Sequence, residues 1–264
     1  MTRLLGFAYG VAAYVLFLTV FVYLIGFVGD VLVPKSIVDG ATGSVGGALL
    51  VDVGLLSLFA AQHSIMARQG FKRWWTRIVP RHLERSTYVL MATLVLAVVM
   101  WGWRPIPGTV WSVESPIASG ALLAVFWAGW GIVLLSTFLI DHFRLFGLKQ
   151  VWAHLRGREL QVPEFQEPGL YRLVRHPLYL GFLMAFWAAP HMTVGRLLLA
   201  GVWTSWILLA IRLEERDLIA FHGGAYRAYR ERVRMLVPLP VGRSAGGEEA
   251  AAPSGGRRAA AEGR

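Results

Sequence analysis

Long apolar stretches recur through this sequence and restrict the folds that it can adopt. Several of them exceed about 18 residues, the length at which an apolar segment becomes a candidate membrane helix. Of the 264 residues, 56% are hydrophobic, more than in an average soluble domain. The predicted spans are residues 4–29, 45–67, 86–103, 117–140, 177–189 and 196–213. We therefore predict an all-α fold, a polytopic bundle of helices embedded in a lipid bilayer.

The fifth apolar stretch, 177–189, is too short for a full crossing, which takes about 20 residues. We therefore expect five or six crossings, with the last two stretches paired as a helical hairpin joined at residues 190–193. The first stretch is not followed by a small-residue cleavage site, so we expect a retained helix rather than a signal peptide.

Positive charge is concentrated in alternate loops. Six arginines and lysines lie within residues 68–85, six more lie between the fourth and fifth stretches, and ten arginines follow from Arg212 onwards. The loops between them hold only Lys35, Arg104 and Arg196. The positive-inside rule places both termini in the cytoplasm, and a bacterial inner membrane is the expected location. Because the net charge of +10 is explained in this way, we expect no nucleic-acid partner.

Residue types exclude several chemistries. The chain has no cysteine, which rules out disulfides, thiolate metal sites and a catalytic cysteine. The seven histidines show neither HxxxH nor HExxH spacing on one predicted helix, so we expect no metal site. Residues 241–264 are rich in alanine, glycine, glutamate and arginine without periodicity, and they are predicted to form a disordered tail.

Polar residues near the inner ends of two spans are candidates for a site, because charge near hydrocarbon is costly. His63 lies near the end of the second span and either lines a pocket or packs as an ordinary polar helix end. Asp141 and His142 end the fourth span. An Asp–His pair can orient a general base, and it can equally cap and anchor the helix.

The stretch LVRHPLYLGFL, residues 173–183, carries the most specific pattern. Pro177 suits the first position of a helix, so free amides of the first turn lie beside Arg175 and His176. Such a helix start attracts an anion, for example a carboxylate. Tyr179 can contact a ligand through its ring, and Gly181 lets a ligand approach the backbone. The alternative is a basic anchor at the membrane interface.

Glu214 and Glu215 close the last span, two residues after Arg212. Carboxylates at a helix C-terminus oppose the macrodipole, so they either pair with local arginines such as Arg216 or receive a cation or amine. If the hairpin brings Glu215 beside His176, one pocket has an anion-binding and a cation-binding end. An α-amino acid group has this polarity.

These residues resemble a known superfamily. The segment 169–171, the run 174–181, the apolar hairpin, the glutamate pair and the residues Phe221, Gly223, Tyr226 and Tyr229 are similar to isoprenylcysteine carboxyl and phospholipid methyltransferases. That similarity covers about residues 165–240. Six further stretches resemble the methanethiol S-methyltransferase group, namely 62–68, 71–80, 84–90, 103–106, 136–143 and 145–151. This second similarity runs from about residue 55 to residue 238.

The resemblance implies methylation of methanethiol to dimethyl sulfide, with S-adenosyl-L-methionine as cofactor and a small volatile thiol as substrate. It implies one transmembrane methyltransferase domain, 1–240, with its cofactor region at 165–240. The implied cofactor pocket comprises Tyr171, His176, Pro177, Leu178, Tyr179 and Glu215, and the physical argument adds Arg175, Gly181 and Glu214. The isoprenylcysteine enzymes bind substrate with an arginine just before the glutamate pair. Arg212 is the nearest here and stands one position off that register.

Three questions stay open at this point. The candidate bases for the thiol are His176, His142 with Asp141, and His63. Another acceptor would suit the same fold, such as a prenylcysteine carboxylate, a lipid amine or another thiol. A non-enzymatic NnrU-like membrane protein is the remaining alternative.

Overall fold

The structure is a computed structural model that describes residues 2–41, 43–161 and 164–238. The predicted disordered tail, 241–264, lies outside these ranges. The described residues form ten α-helices, one 3₁₀ turn (Gly169–Arg172) and two short strands, β1 (Thr109–Ser112) and β2 (His191–Thr193). The helices are α1 (Arg3–Gly29), α2 (Val45–Ala67), α3 (Gln69–Trp75), α4 (Arg81–Gly102), α5 (Pro116–Leu139), α6 (His142–Leu145), α7 (Leu148–Leu155), α8 (Pro177–Trp187), α9 (Val194–His222) and α10 (Gly224–Arg232).

Five helices, α1, α2, α4, α5 and α9, are long and apolar enough to cross a membrane. Large apolar side chains cover their outward faces, including Leu50 at 77% exposure and Ile117 at 87%. An apolar outer surface of this kind is stable against hydrocarbon and unstable against water. The all-α membrane bundle predicted from the sequence is therefore confirmed.

Helix α8 has 11 residues and runs antiparallel to α5. The two helices touch where Gly181 meets Gly129, and a Cβ on Gly181 would lie 2.6 Å from the carbonyl oxygen of Gly129. Glycines at a crossing let two backbones approach closely in a membrane. This contact explains Gly181, which was predicted to face a ligand and is instead buried against α5.

The hairpin of α8 and α9 reaches both ends of the bundle although α8 is short. The turn before α8 packs on the end of α5, where a Cβ on Gly169 would lie 3.1 Å from the side chain of Leu139. After α8, β2 pairs antiparallel with β1, which precedes α5. Val113 donates its backbone N–H to Pro190 across this joint at 2.9 Å. Short strands therefore complete the crossing that α8 begins.

Both ends of the described chain lie on the same face of the bundle. Arg3, at the start of α1, lies against Gly157 in the loop after α7. Arg68, just after α2, pairs with Asp217 near the end of α9 at 3.1 Å. This face also holds α3, α6, α7 and α10, short helices that the sequence analysis did not predict. Because both ends of the described chain lie on this face, the chain crosses the bundle an even number of times.

Candidate active site

The start of α8 is fixed by the last described residues of the chain. Arg175 donates its backbone N–H to Arg234 at 2.8 Å, and His176 donates its own to Met235 at 3.1 Å. Helix α8 then begins at Pro177, as predicted, and no side chain of the described residues caps it. Leu180 donates its backbone N–H to His176 at 3.0 Å, which leaves the N–H groups of Leu178 and Tyr179 to bind another acceptor.

Glu215 is buried among positively charged and donor groups of the same chain. Its Oε1 accepts from Arg175 Nε at 2.7 Å and lies 3.1 Å from His176 Nε2, while its Oε2 lies 3.4 Å from Arg230 Nε. Arg175 also donates through Nη1 to the carbonyl oxygens of Arg230 and Val233. Glu215 is 6% exposed and His176 is 5% exposed. The negative charge of Glu215 is thus compensated inside the protein.

Glu214, the neighbouring residue, keeps an exposed carboxylate. Tyr179, on the third position of α8, donates its hydroxyl to Glu214 Oε2 at 3.0 Å. Glu214 also lies near enough to Tyr171 and Tyr88 for its charge to act on both hydroxyl groups. Burial raises the pKa of Tyr171 and the charge of Glu214 raises it further, so this phenol stays protonated. Tyr179 therefore binds an exposed carboxylate that remains available to a ligand.

The two tyrosines of α10 pack beside the segment that leads into α8. Tyr229 donates its hydroxyl to the backbone oxygen of Tyr171 at 2.6 Å, and Tyr226 and Tyr229 pack against Phe165. Gly223 has φ +58°, a conformation that favours glycine, and it allows α9 to end and α10 to fold back. Gly223 is therefore explained by the turn between α9 and α10, and Tyr226 and Tyr229 are explained by their packing against Phe165.

His63, near the inner end of α2, faces α4 and α9. Its Nε2 lies 2.8 Å from the hydroxyl of Tyr88. Its ring stacks on Phe59 and meets Trp206 edge to face. His63 Nδ1 is buried without a hydrogen-bond partner in the described part of the chain. The sequence analysis did not identify Tyr88 as a candidate site residue. The only signal in the sequence was general, because a buried tyrosine hydroxyl needs a hydrogen-bond partner.

Asp141 and His142 do not form a pair. Asp141 caps α6 by accepting the backbone N–H of Arg144, and its carboxylate lies 2.6 Å from Lys149 Nζ. Burial alone would raise the pKa of Asp141, but these hydrogen bonds and positive charges bring it below its usual value. The ring of His142 lies instead between Tyr14 and Thr137, at 2.7 and 2.8 Å. Asp141 therefore anchors the helix end.

Comparison with known proteins identifies relatives along almost the whole chain. A protein from Mycobacterium tuberculosis named methanethiol S-methyltransferase is 52% identical over 240 residues, 91% of this chain and 98% of the relative. Methanethiol S-methyltransferase 1 from Bradyrhizobium diazoefficiens is 52% identical over 236 residues, 89% of this chain and 83% of the relative.

The chain belongs to the methanethiol S-methyltransferase family.

A more distant relative of this methyltransferase chain is bovine nurim, 35% identical over 182 residues, 64% of this chain and 68% of the relative. No model of a protein family and no solved structure matches the chain. Membership of the methanethiol S-methyltransferase family confirms the predicted resemblance, and with it the prediction of an enzyme. The protein is an integral membrane methyltransferase.

The structure brings most of the predicted site residues of this methyltransferase together. Tyr171, Arg175, His176, Pro177, Leu178, Tyr179, Glu214 and Glu215 lie around the start of α8 and the inner part of α9. Arg212 is exposed and has no ion-pair partner among the described residues. Gly181 packs on α5, one turn away from the free amides. His142 is held by Tyr14 of α1 and Thr137 of α5 and makes no hydrogen bond to the glutamate pair among the described residues.

Proposed function

We propose that this protein transfers a methyl group from S-adenosyl-L-methionine to methanethiol, giving dimethyl sulfide. The observation that carries the proposal is the 52% identity to proteins named methanethiol S-methyltransferase, across almost their whole length in the mycobacterial case.

The groups at the start of α8 fit the donor. S-adenosyl-L-methionine carries an α-ammonium, an α-carboxylate and a sulfonium, and it supplies an electrophilic methyl group when bound. The exposed carboxylate of Glu214 suits the ammonium. The uncapped amides at Leu178 and Tyr179 suit the carboxylate. The rings of Tyr171 and Tyr179 suit the sulfonium through cation–π attraction.

The buried cluster beneath these groups has a positioning role in this proposal. Arg175, His176 and Glu215 bind one another and the backbone of residues 230–235, and both carboxylate oxygens of Glu215 already have partners. They hold the start of α8 against α9 and keep Tyr179 within reach of Glu214. Glu214, rather than Glu215, is therefore the glutamate that we place against the ligand.

The membrane location suits a small apolar acceptor and a water-soluble donor. Methanethiol partitions into lipid, whereas the donor comes from an aqueous compartment. The face that carries the candidate site also carries the arginine-rich segments 68–85 and 212–234. The positive-inside rule assigns that face to the cytoplasm of a bacterial inner membrane, with both termini on the same side.

The test is to measure dimethyl sulfide in the headspace over membranes that contain the protein, methanethiol and methyl-labelled S-adenosyl-L-methionine. We expect labelled product from the wild type. Glu214→Gln should raise the Kd of the donor about tenfold or more, because it removes a charged hydrogen-bond partner. Glu231→Gln, which neutralises an exposed glutamate on α10, is the matched control and should change neither the amount of labelled product nor the Kd of the donor.

Two results would contradict the proposal in different ways. Donor binding without product from methanethiol would mean that the acceptor is another molecule. No donor binding by the folded wild type would mean that the methyl group comes from another source.

A further inference from the structure

An apolar crevice lies between α2 and α9, in the membrane-spanning part of the bundle. It is narrow and partly open, with an internal volume of about 10 Å³. Three residues of α2 and three of α9 line it, namely Leu56, Phe59, Ala60, Val202, Trp203 and Trp206. Among the described residues no charged side chain lines it, so the wall favours a small apolar ligand.

His63 lies at one end of this crevice. Two of the lining rings contact it, with centroid distances of 5.3 Å to Phe59 and 5.4 Å to Trp206. The indole N–H of Trp206 donates to Ser64 Oγ at 3.1 Å, which fixes that ring against α2. The described residues leave one nitrogen of His63, Nδ1, buried and unpartnered. An unpaired polar atom in such surroundings is costly unless a ligand supplies a partner.

Tyr88 connects His63 to the proposed donor site. Its hydroxyl lies 2.8 Å from His63 Nε2 and 3.5 Å from the backbone oxygen of His63. If the phenol donates to that oxygen and accepts from Nε2–H, the lone pair of the imidazole is on Nδ1. Tyr88 and Tyr179 also lie within electrostatic reach of each other and of Glu214.

We propose that the crevice binds the acceptor thiol, that Phe59 and Trp203 limit the size of its alkyl group, and that His63 Nδ1 accepts its proton. The inference rests on the proposed function and deepens it by assigning the acceptor site and the base. A small thiol matches the apolar crevice and His63 Nδ1, because it has an apolar alkyl group and one weak S–H donor.

The other candidate bases are less suited to this task. Thr137 donates its hydroxyl to the backbone oxygen of Leu134, so it can only accept from His142 Nδ1. His142 Nε2 then accepts from Tyr14, and neither nitrogen is left for a substrate. His176 Nε2 is directed at Glu215.

A second apolar cavity lies at the other end of α8. It has an internal volume of about 30 Å³, and its lining includes Phe126, Ala189, Pro190 and Arg196. Among the described residues that line it, no side chain could take a proton from a thiol, whereas His63 adjoins the crevice between α2 and α9.

In the proposed methyl transfer, the thiol sulfur loses its proton and gains a bond to the methyl carbon. The thiol S–H bond breaks and its proton forms a bond with His63 Nδ1. A lone pair on the thiol sulfur forms the new carbon–sulfur bond to the methyl carbon. The electron pair of the old carbon–sulfur bond stays on the sulfur of the donor, which is thereby neutralised. The imidazolium of His63 then returns its proton to water before the next turnover.

The size limit is tested by comparing butanethiol with methanethiol as acceptor, in membranes containing the full chain. Trp203→Ala should raise the ratio of the butanethiol rate to the methanethiol rate by about tenfold or more, because the larger alkyl group gains room. Phe59→Leu is a milder second variant in case Trp203→Ala does not fold. Phe126→Ala enlarges the other cavity and is the matched control, with an unchanged ratio.

The base is tested by the pH profile of His63→Gln. We expect a methanethiol rate about 100-fold lower than wild type near neutral pH, with donor binding retained. The loss should shrink at high pH, above about 8.5, where more of the thiol ionises in water without a base. A loss equal at every pH would indicate a merely structural role and would overturn the assignment of the base.

These experiments distinguish a failure of the acceptor-site inference from a failure of the proposed function. No methylated product from any thiol with the wild type would overturn the proposed function and this inference together. Product from the wild type with an unchanged ratio in Trp203→Ala and Phe59→Leu, or a raised ratio in Phe126→Ala, would overturn the inference and leave the proposed function standing.

Discussion

At the start of α8, two adjacent glutamates have opposite environments. Glu215 is enclosed by Arg175, His176 and Arg230, whereas Glu214 accepts a hydrogen bond from Tyr179 and stays exposed. Burying a carboxylate is costly unless it is fully paired, so the cluster around Glu215 acts as a single unit. The pair of glutamates therefore divides into a structural residue and one that is available to a ligand.

Replacing Arg175 tests this division. Arg175→Met leaves Glu215 buried with fewer partners and removes the contacts of Arg175 with the backbone of Arg230 and Val233. We expect a loss of roughly 3 kcal/mol in the free energy of unfolding, typical of a broken buried pair. The measurement is thermal unfolding of the purified protein in detergent. Arg227→Met, at an exposed position of α10, should be nearly neutral, and equal losses for both would refute the argument.

His142 should make the stability sensitive to acid. Burial lowers its pKa, so the folded protein takes up this proton at a lower pH than the unfolded chain, whose histidine pKa is about 6.5. Its stabilising contribution is therefore present above about pH 6.5 and is lost as the pH falls towards the folded pKa. In His142→Asn the decline of stability from pH 7.5 to pH 5 should be smaller, by up to about 1.4 kcal/mol per pH unit. His191→Asn, on an exposed histidine, is the control, and an unchanged slope in His142→Asn would contradict the prediction.

At the scale of elements, the antiparallel pair of α5 and α8 positions the whole site. The helices approach at Gly129 and Gly181, where an added Cβ would overlap backbone atoms of the partner. Because such an overlap involves backbone rather than a flexible side chain, the helices must separate to relieve it. The start of α8, with its free amides and Tyr179, would move with them.

Gly181→Ala should accordingly destabilise the protein and lower its activity. Its Cβ would lie 2.6 Å from Gly129 O and 2.9 Å from Val133 N. Overpacking of this kind costs about 1–3 kcal/mol. Gly131→Ala, also on α5, adds a methyl group with no atom within 4 Å, and it should be neutral or stabilising by up to about 1 kcal/mol. Thermal unfolding and headspace dimethyl sulfide are both measured, and similar values for the two variants would refute the crossing argument.

The same element shows how far the sequence alone can predict the structure. Apolar length is a local property, so five of the six apolar stretches were predicted within five residues at each end, and Pro177 was predicted as the first residue of α8. The end of α9 was predicted wrongly, because its polar last turns, which include Glu214 and Glu215, continue to His222 instead of ending at residue 213. The contact of Gly181 with Gly129 depends on which helices are neighbours, which no single segment reveals. The strands β1 and β2 have four and three residues, too few for a periodic pattern. They pair Trp111 with Met192, 81 positions later in the chain. The pairing of Tyr88 with His63 likewise exists only once α2 and α4 have packed.

At the scale of the whole molecule, one face of the bundle carries the candidate site and most of the charge. The start of α8, the end of α9, and the helices α3, α6, α7 and α10 all lie there, while β1 and β2 join the opposite end. An even number of passes follows from this arrangement, because the beginning of α1 and the end of α9 share a face. The crevice between α2 and α9 lies within the membrane part, so a lipid-soluble thiol and a water-soluble donor can reach one site from different phases.

The orientation can be measured directly, since the chain contains no cysteine and each introduced cysteine is therefore unique. We expect Arg77→Cys and Arg227→Cys, on the face of the candidate site, to be protected from a membrane-impermeant maleimide in intact bacterial cells. Glu114→Cys, in the connection after β1, should be labelled under the same conditions. All three positions are exposed in the structure, so all should react after the membrane is permeabilised. Labelling of Arg77→Cys in intact cells would invert the orientation and place the donor site outside, where S-adenosyl-L-methionine is not made. Opposite results for Arg77→Cys and Arg227→Cys would instead require an odd number of crossings and contradict the arrangement of α8 and α9.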